Sequence, residues 1–212
     1  MTEGAKIRTV VFDLGGVLID WNPRHLYRKL FNGDTAAMED FLATVCTQDW
    51  NECQDAGRTI AEAEAEVLGR FPDKAELIRA FYGRFDEMMA GPIEGSVDLL
   101  EALHAREVPL YALTNWSAET IRHALARFPF FERFRGIVVS GRLKVKKPDR
   151  RIFEHLVTAH GLVPSETVFI DDSPRNVEAA RAAGLQALHF ESPERLRADL
   201  EGLGLLQSRA KS

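Results

Sequence analysis

The sequence predicts an α/β protein, a parallel sheet covered by helices on both faces and interrupted once by a long all-helical block. Three observations carry this prediction. Short runs of β-branched and aromatic residues alternate with stretches of 3.6-residue periodicity, the pattern of strand–helix–strand units. Three of the runs end in chemically useful groups: Asp13, Thr114-Asn115 and Asp171-Asp172. Between Trp21 and Ala90, by contrast, no strand-like run occurs.

Thr9-Val10-Val11-Phe12 is too short for a helix, and its β-branched and aromatic residues suit a buried strand. It stops at Asp13, a carboxylate that is costly to bury without partners and so belongs in a polar site. Gly15 and Gly16 follow; with no side chains they let the backbone turn sharply and come close to a ligand or metal. In the helical stretch, Leu26, Tyr27, Leu30 and Phe31 share a face, as do Phe41, Leu42, Val45 and Cys46. Thr59 and Glu62 are spaced as a capping box. Leu77, Ile78, Phe81, Tyr82, Phe85, Met88 and Met89 form an apolar stripe that reads as core.

Gly91-Pro92 reads as a hinge or loop. After it come a helix over Val97–Arg106, a strand at Pro109–Leu113 and a helix from Ser117 to about Arg127. Gly136–Val139 is a third strand, and a basic loop from Arg142 to Lys147 leads to a helix over Arg150–His160. Thr167–Ile170 is a fourth strand, Ser173-Pro174 cap and begin a helix, and Gln186–Phe190 is a fifth strand. The tail beyond about Gly204 is expected to fray.

The net charge of -5 argues against nucleic acid as a partner. No apolar run is long enough to cross a bilayer and residues 1–8 lack a signal-peptide pattern, so a membrane is not an expected partner and the expected location is cytoplasmic. Cys46 and Cys53 match no zinc or redox spacing and read as buried or half-buried thiols in a reducing compartment. The six histidines show no metal-ligand spacing.

Parallel strands gather their carboxyl ends at one sheet edge, where ligands of such folds sit. Asp13, Asp171 and Asp172 would repel one another there unless a cation intervened, and a hard divalent ion such as Mg2+ fits oxygen ligands. The Gly15 carbonyl offers another oxygen. Thr114, Asn115 and the following amides suit an anion cradle ahead of a helix at Ser117. Lys147 suits either a phosphate oxygen or the holding of a nucleophilic carboxylate; Lys146 is its neighbour in register. Together these read as a carboxylate nucleophile, an electropositive phosphate seat and a metal.

Phe12-Asp13-Leu14-Gly15-Gly16-Val17-Leu18, Leu113-Thr114-Asn115, Lys147-Pro148-Asp149 and Ile170-Asp171-Asp172-Ser173 resemble, in order, the four motifs of the haloacid dehalogenase-like hydrolase superfamily. The resemblance covers nearly the whole chain. It implies a Rossmann-like core (residues 1–19 and 91–212) and a mobile, all-helical cap inserted at residues 20–90. It also implies Asp13 as nucleophile and Thr114 and Lys147 at the phosphate, with Asn115 and Gly16 beside it. Magnesium would sit on Asp13, the Gly15 carbonyl and Asp172, with Asp171 auxiliary.

One position departs from the family's phosphatases, which usually carry a general acid two residues after the nucleophile; here that residue is Gly15. Asp171, Asp20 or a cap residue would have to substitute. The Asp-Leu-Gly-Gly form resembles a sugar-phosphate phosphatase branch with this glycine. The expected function is therefore a magnesium-dependent phosphatase of small phosphorylated metabolites, acting through an aspartyl-phosphate. Two alternatives remain. One is a metal-independent 2-haloacid dehalogenase, with Trp21, Trp50, Phe81 and Tyr82 lining an apolar pocket. The other is a phosphometabolite-binding protein that has lost turnover. Asn176 is a candidate bond to a metal-bound water, and Asp20 a candidate helix N-cap; Trp21, Asn22 and Arg24 are weaker substrate candidates.

Overall fold

A computed structural model describes residues 6–207. Its elements run β1 (Thr9–Phe12), β2 (Ile19–Trp21), α1 (Arg24–Leu30), α2 (Thr35–Thr44), α3 (Gln48–Asp55), α4 (Ile60–Arg70) and α5 (Ala75–Gly83). There follow β3 (Met89–Pro92), α6 (Glu94–Ala105), β4 (Leu110–Thr114), α7 (Ile121–Arg127), β5 (Gly136–Val139) and α8 (Ser140–Leu143). The chain finishes with α9 (Arg150–His160), β6 (Thr167–Asp171), α10 (Pro174–Ala182), β7 (Gln186–His189) and α11 (Pro193–Gly202).

Five strands form one parallel sheet in the order β5-β4-β1-β6-β7, which puts the first strand at its centre. Successive side chains on a strand point to opposite faces. Val10 and Phe12 accordingly join one cluster with Leu99, Leu103 and Leu200, from α6 and α11. Val11 joins the other with Phe153 and Val177, from α9 and α10. Both faces are thus covered, as the runs of apolar residues require. The first cluster continues into the helices between Arg24 and Gly83, through Tyr27, Phe41, Trp50 and Phe81.

Register decides which residues meet. Phe12 pairs with Ala112 on one side and Ile170 on the other. Asp13 therefore leaves β1 level with the ends of β4 and β6, and its amide donates to the Ile170 carbonyl at 2.8 Å. The predicted capping box forms: the Thr59 hydroxyl accepts from the Glu62 amide and the Glu62 carboxylate from that of Thr59.

Several expectations are corrected. Gly91-Pro92 is not a loop: β2 and β3 pair antiparallel, with Asp20 opposite Gly91. That pairing joins residues some seventy apart, which local periodicity does not register. α7 starts at Ile121 rather than Ser117, because the Ser117 hydroxyl accepts from the Glu119 amide in a turn that competes with helix. Ser173 stands at the N-cap of α10, but its hydroxyl makes no capping bond. Asp20 caps no helix; it is exposed and meets His25 Nε2 at 2.9 Å. Cys46 is buried but Cys53 is exposed. Leu205 and Leu206 are buried against the core, so the chain is packed past Gly204; residues 208–212 lie outside the described part. Among the described residues no helix is long and apolar enough to cross a membrane.

Candidate active site

The site is built on Lys147. Its side chain is 0% exposed, and its ammonium lies 2.8 Å from Asp13 Oδ1, 2.7 Å from Asp171 Oδ2 and 3.0 Å from the Leu113 carbonyl. An ammonium has three donors, so all are engaged. Burial alone would drive its proton off, but Asp13 and Asp171 outweigh that and hold it above the ordinary lysine value. The backbone is fixed as well: Lys147 N donates to Asn115 Oδ1 at 2.8 Å, and Asn115 Nδ2 donates to the Lys147 carbonyl at 3.0 Å. Lys146 turns the other way and pairs with Glu52.

Asp13 Oδ1 also accepts from the Leu14 amide at 2.8 Å. Both recorded bonds fall on that oxygen, which leaves Oδ2 for an electrophile or a cation. Burial pushes the Asp13 carboxyl above the usual range; Lys147 pulls it down, while Asp171 and Asp172 push it further up. Asp171 is fully buried and its two oxygens accept from Lys147, the Ser173 amide and the Asn176 amide group. It is better placed to orient its neighbours than to bind an ion. Asn176, too, is occupied with Asp171.

Asp172 is exposed as a residue, but its carboxyl is partly enclosed, and this with the repulsion of Asp171 raises its proton affinity. It reaches the site because Gly16 has no Cβ: one built there would lie 2.4 Å from Asp172 Oδ2, and the backbone has φ +76°. Oxygens of Asp13, Asp171 and Asp172 lie within 4.8 Å of one another. Three carboxylates against one ammonium is a donor set suited to a hard divalent cation.

In front of these groups opens a cavity of about 280 Å³. Asp13, Gly15, Gly16, Thr114, Asn115 and Asp172 line its floor. Lys147 and Asp171 are not among the lining residues; they stand behind the carboxylates. The amide cradle is narrower than expected. No helix begins at Ser117, and the Trp116 amide already donates to Ser140 Oγ at 3.0 Å.

The cavity's far wall is one the motifs did not predict: Gln48, Asn51, Glu52 and Asp55, all on α3. Their spacing of i, i+3, i+4, i+7 is a polar stripe on one helix face, visible in the sequence to anyone looking for polar rather than apolar periodicity. Trp21 lines the cavity with Phe85 and Trp116. Trp50, Phe81 and Tyr82 do not; they pack on one another, with ring centroids 4.9–5.4 Å apart. Arg24 pairs with Glu39 at 2.6 Å, Asn22 caps its amide, and Asp20 does not line the cavity.

The family model of haloacid dehalogenase-like hydrolases matches residues 7–184. The chain is 24% identical over 194 residues to a sesquiterpene phosphatase of Aspergillus oryzae, covering 86% of this chain and 89% of that one. It is 23% identical to a D-ribitol-5-phosphate phosphatase of Bacteroides thetaiotaomicron, covering 92% and 97%. A haloacid dehalogenase family enzyme from the same bacterium, solved with magnesium and inorganic phosphate, shares the fold with a TM-score of 0.64 at 24% identity, covering 88% of this chain and 95% of that one.

Proposed function

The chain belongs to the haloacid dehalogenase-like hydrolase family, and from that premise we propose that it is a magnesium-dependent phosphatase of small phosphorylated metabolites. The observation that carries this reading is the posture of Asp13. Lys147 and the Leu14 amide hold Oδ1, so Oδ2 meets the phosphorus of a monoester in the cavity. Attack by Oδ2 forms an aspartyl-phosphate, and water then releases phosphate. Thr114 lies on the cavity floor as a hydroxyl donor to the phosphoryl oxygens. Lys147 acts from behind: it draws the Asp13 proton affinity down against burial and aims the carboxylate, the second of the two roles its charge suggested.

The residues suited to Mg2+ are Asp13, Asp172 and the Gly15 carbonyl. When bound, the ion would neutralise phosphoryl charge and offset the burial and the mutual repulsion that raise Asp13 and Asp172. Asp172, held against Gly16, favours this reading over a metal-free dehalogenase, which needs no such second carboxylate.

Residues 20–90 act as the cap. α3 supplies the wall that faces the leaving group, and the β2–β3 ribbon is where the block joins the core. Gln48 and Asn51 present amides, Glu52 and Asp55 carboxylates, and no Lys or Arg is among the described residues that line the cavity. Such a wall suits a neutral polyhydroxyl leaving group, a sugar or polyol, and offers no cation to a carboxylate-bearing one.

The test is phosphate release from a panel of sugar, polyol and carboxylate phosphates with and without magnesium. Release that needs the metal and is lost in Asp13→Asn supports the reading. Activity surviving exhaustive chelation, halide release from 2-chloropropionate without metal, or phosphate binding with no turnover would each overturn it.

A further inference from the structure

The family's phosphatases carry their proton donor where this chain has Gly15, so a phosphatase here must find that proton elsewhere. The cavity contains four acidic residues: Asp13, Glu52, Asp55 and Asp172. Asp13 and Asp172 belong to the nucleophile and cation positions. Glu52 is paired with Lys146; burial would raise its carboxyl, but Lys146 and Gln48 outweigh that and keep it anionic. Asp171 is enclosed behind the floor by Lys147, and Asp20 does not reach the cavity. One acid is left.

We propose that Asp55, at the end of α3, is the general acid and base of this enzyme, donating a proton to the leaving-group oxygen and then taking one from the attacking water. The inference rests on the phosphatase reading above. In the first half-reaction Asp13 Oδ2 bonds to phosphorus while the ester P–O bond breaks. The electron pair goes to the departing oxygen, which takes the Asp55 proton and leaves as an alcohol. In the second half-reaction the Asp55 carboxylate takes a proton from water as its oxygen bonds to phosphorus. The P–O bond to Asp13 breaks, its electron pair returns to the Asp13 carboxylate, and phosphate leaves with Asp55 protonated again.

Two features place and poise the group. The Asp55 carbonyl accepts from Ser140 Oγ at 2.6 Å, and the same hydroxyl accepts from the Trp116 amide. This binds the end of α3 to the loop after β4, beside the floor of the site. Burial pushes the carboxyl up to about 7; Glu52 on its own helix adds to this, while Lys146, the Ser117 amide and Lys147 pull it down. Tyr82, on α5, also faces it. A donor with this proton affinity is half-loaded near neutrality, where general acid–base catalysis works best.

The experiment compares a simple alkyl phosphate, whose leaving group needs a proton, with p-nitrophenyl phosphate, whose leaving group departs as an anion. In Asp55→Asn, kcat/KM for the alkyl ester falls ~10²–10⁴-fold, and the fall for the aryl ester is at least about tenfold smaller. Retained aryl turnover also reports that the variant folds. In the unaltered enzyme the alkyl kcat/KM declines with loss of one proton as pH rises through about 7, and the aryl profile lacks that limb. Equal losses for both esters, or the same limb in both profiles, would overturn the assignment of Asp55 while leaving the phosphatase intact. An enzyme that releases phosphate from neither ester with magnesium would instead overturn the phosphatase reading.

Discussion

The ammonium of Lys147 bridges Asp13 and Asp171, at 2.8 and 2.7 Å, with both its own side chain and that of Asp171 wholly enclosed. One cation therefore serves two carboxylates, one just past the end of β1 and one at the end of β6. Its loss leaves two acids facing each other in a largely buried site, with no cation between them.

Lys147→Ala is expected to abolish turnover and to cost ~3–5 kcal/mol of stability, since removing one partner strands buried charge. Lys144→Ala, on the same loop, should stay within about 0.5 kcal/mol of the parent and keep its activity. Denaturant unfolding and phosphate release on the two variants check this; equal effects would remove Lys147 from its assigned place.

Gly16 is the contact that lets Asp172 approach. Gly16→Ala puts a Cβ into a space 2.4 Å from the Asp172 carboxylate, at a backbone φ of +76° that disfavours alanine. The displaced carboxylate should raise the magnesium concentration for half-maximal activity ~10-fold or more, as loss of a neighbour that orients a ligand does. A metal titration of the variant tests this.

Ser140 holds the Trp116 amide and the Asp55 carbonyl together from inside the fold. Ser140→Ala leaves that amide and carbonyl without their partner, at a cost of ~1–3 kcal/mol. It also frees the end of α3, so kcat should fall with little change in KM. Thermal melting and steady-state kinetics report the two effects separately.

Asp55 predicts a pH dependence of stability with a definite sign. Its carboxyl is raised from 3.8 to about 7 in the folded protein, so between these values the folded state binds more protons than the unfolded one. Stability therefore declines as pH rises through that window. Asp55→Asn removes the penalty. Its melting temperature should exceed that of the parent at pH 8 and approach it near pH 4, with roughly 2–4 °C for each kcal/mol recovered. A melting series across pH checks it, and a less active variant that is more stable is the expected signature of a strained functional group.

The floor of the site was legible in the sequence because each part of it follows a strand. Phe12, Leu113 and Ile170 are apolar and β-forming, and the polar residue at the end of each run marks the sheet edge where it emerges. The role of Asn115 was less so: a side chain beside an expected anion site turns out to brace the Lys147 backbone, and only the loop's path shows that. The ribbon of β2 and β3 is invisible to periodicity, since a three-residue strand has too few positions to alternate and its partner is remote. The start of α7 was obscured by Ser117, which suits a helix cap and a turn equally well. Asp55 escaped because its partners, Lys146, Ser117 and Ser140, lie 62 to 91 positions further along the chain and carry no local signal.

The pairing of Asp20 with Gly91 sets the two strands that carry the chain into and out of the helical block side by side in one ladder. Strands so paired stand about 5 Å apart. A segment whose ends close to that separation, and whose apolar face packs on the same core, can therefore be spliced between them without disturbing the register of β1 or β4. The roof is in this sense a cassette. A graft that exchanges it and keeps an acid at the place of Asp55 should change which alcohol is accepted while Asp13, Lys147 and Asp172 keep their places.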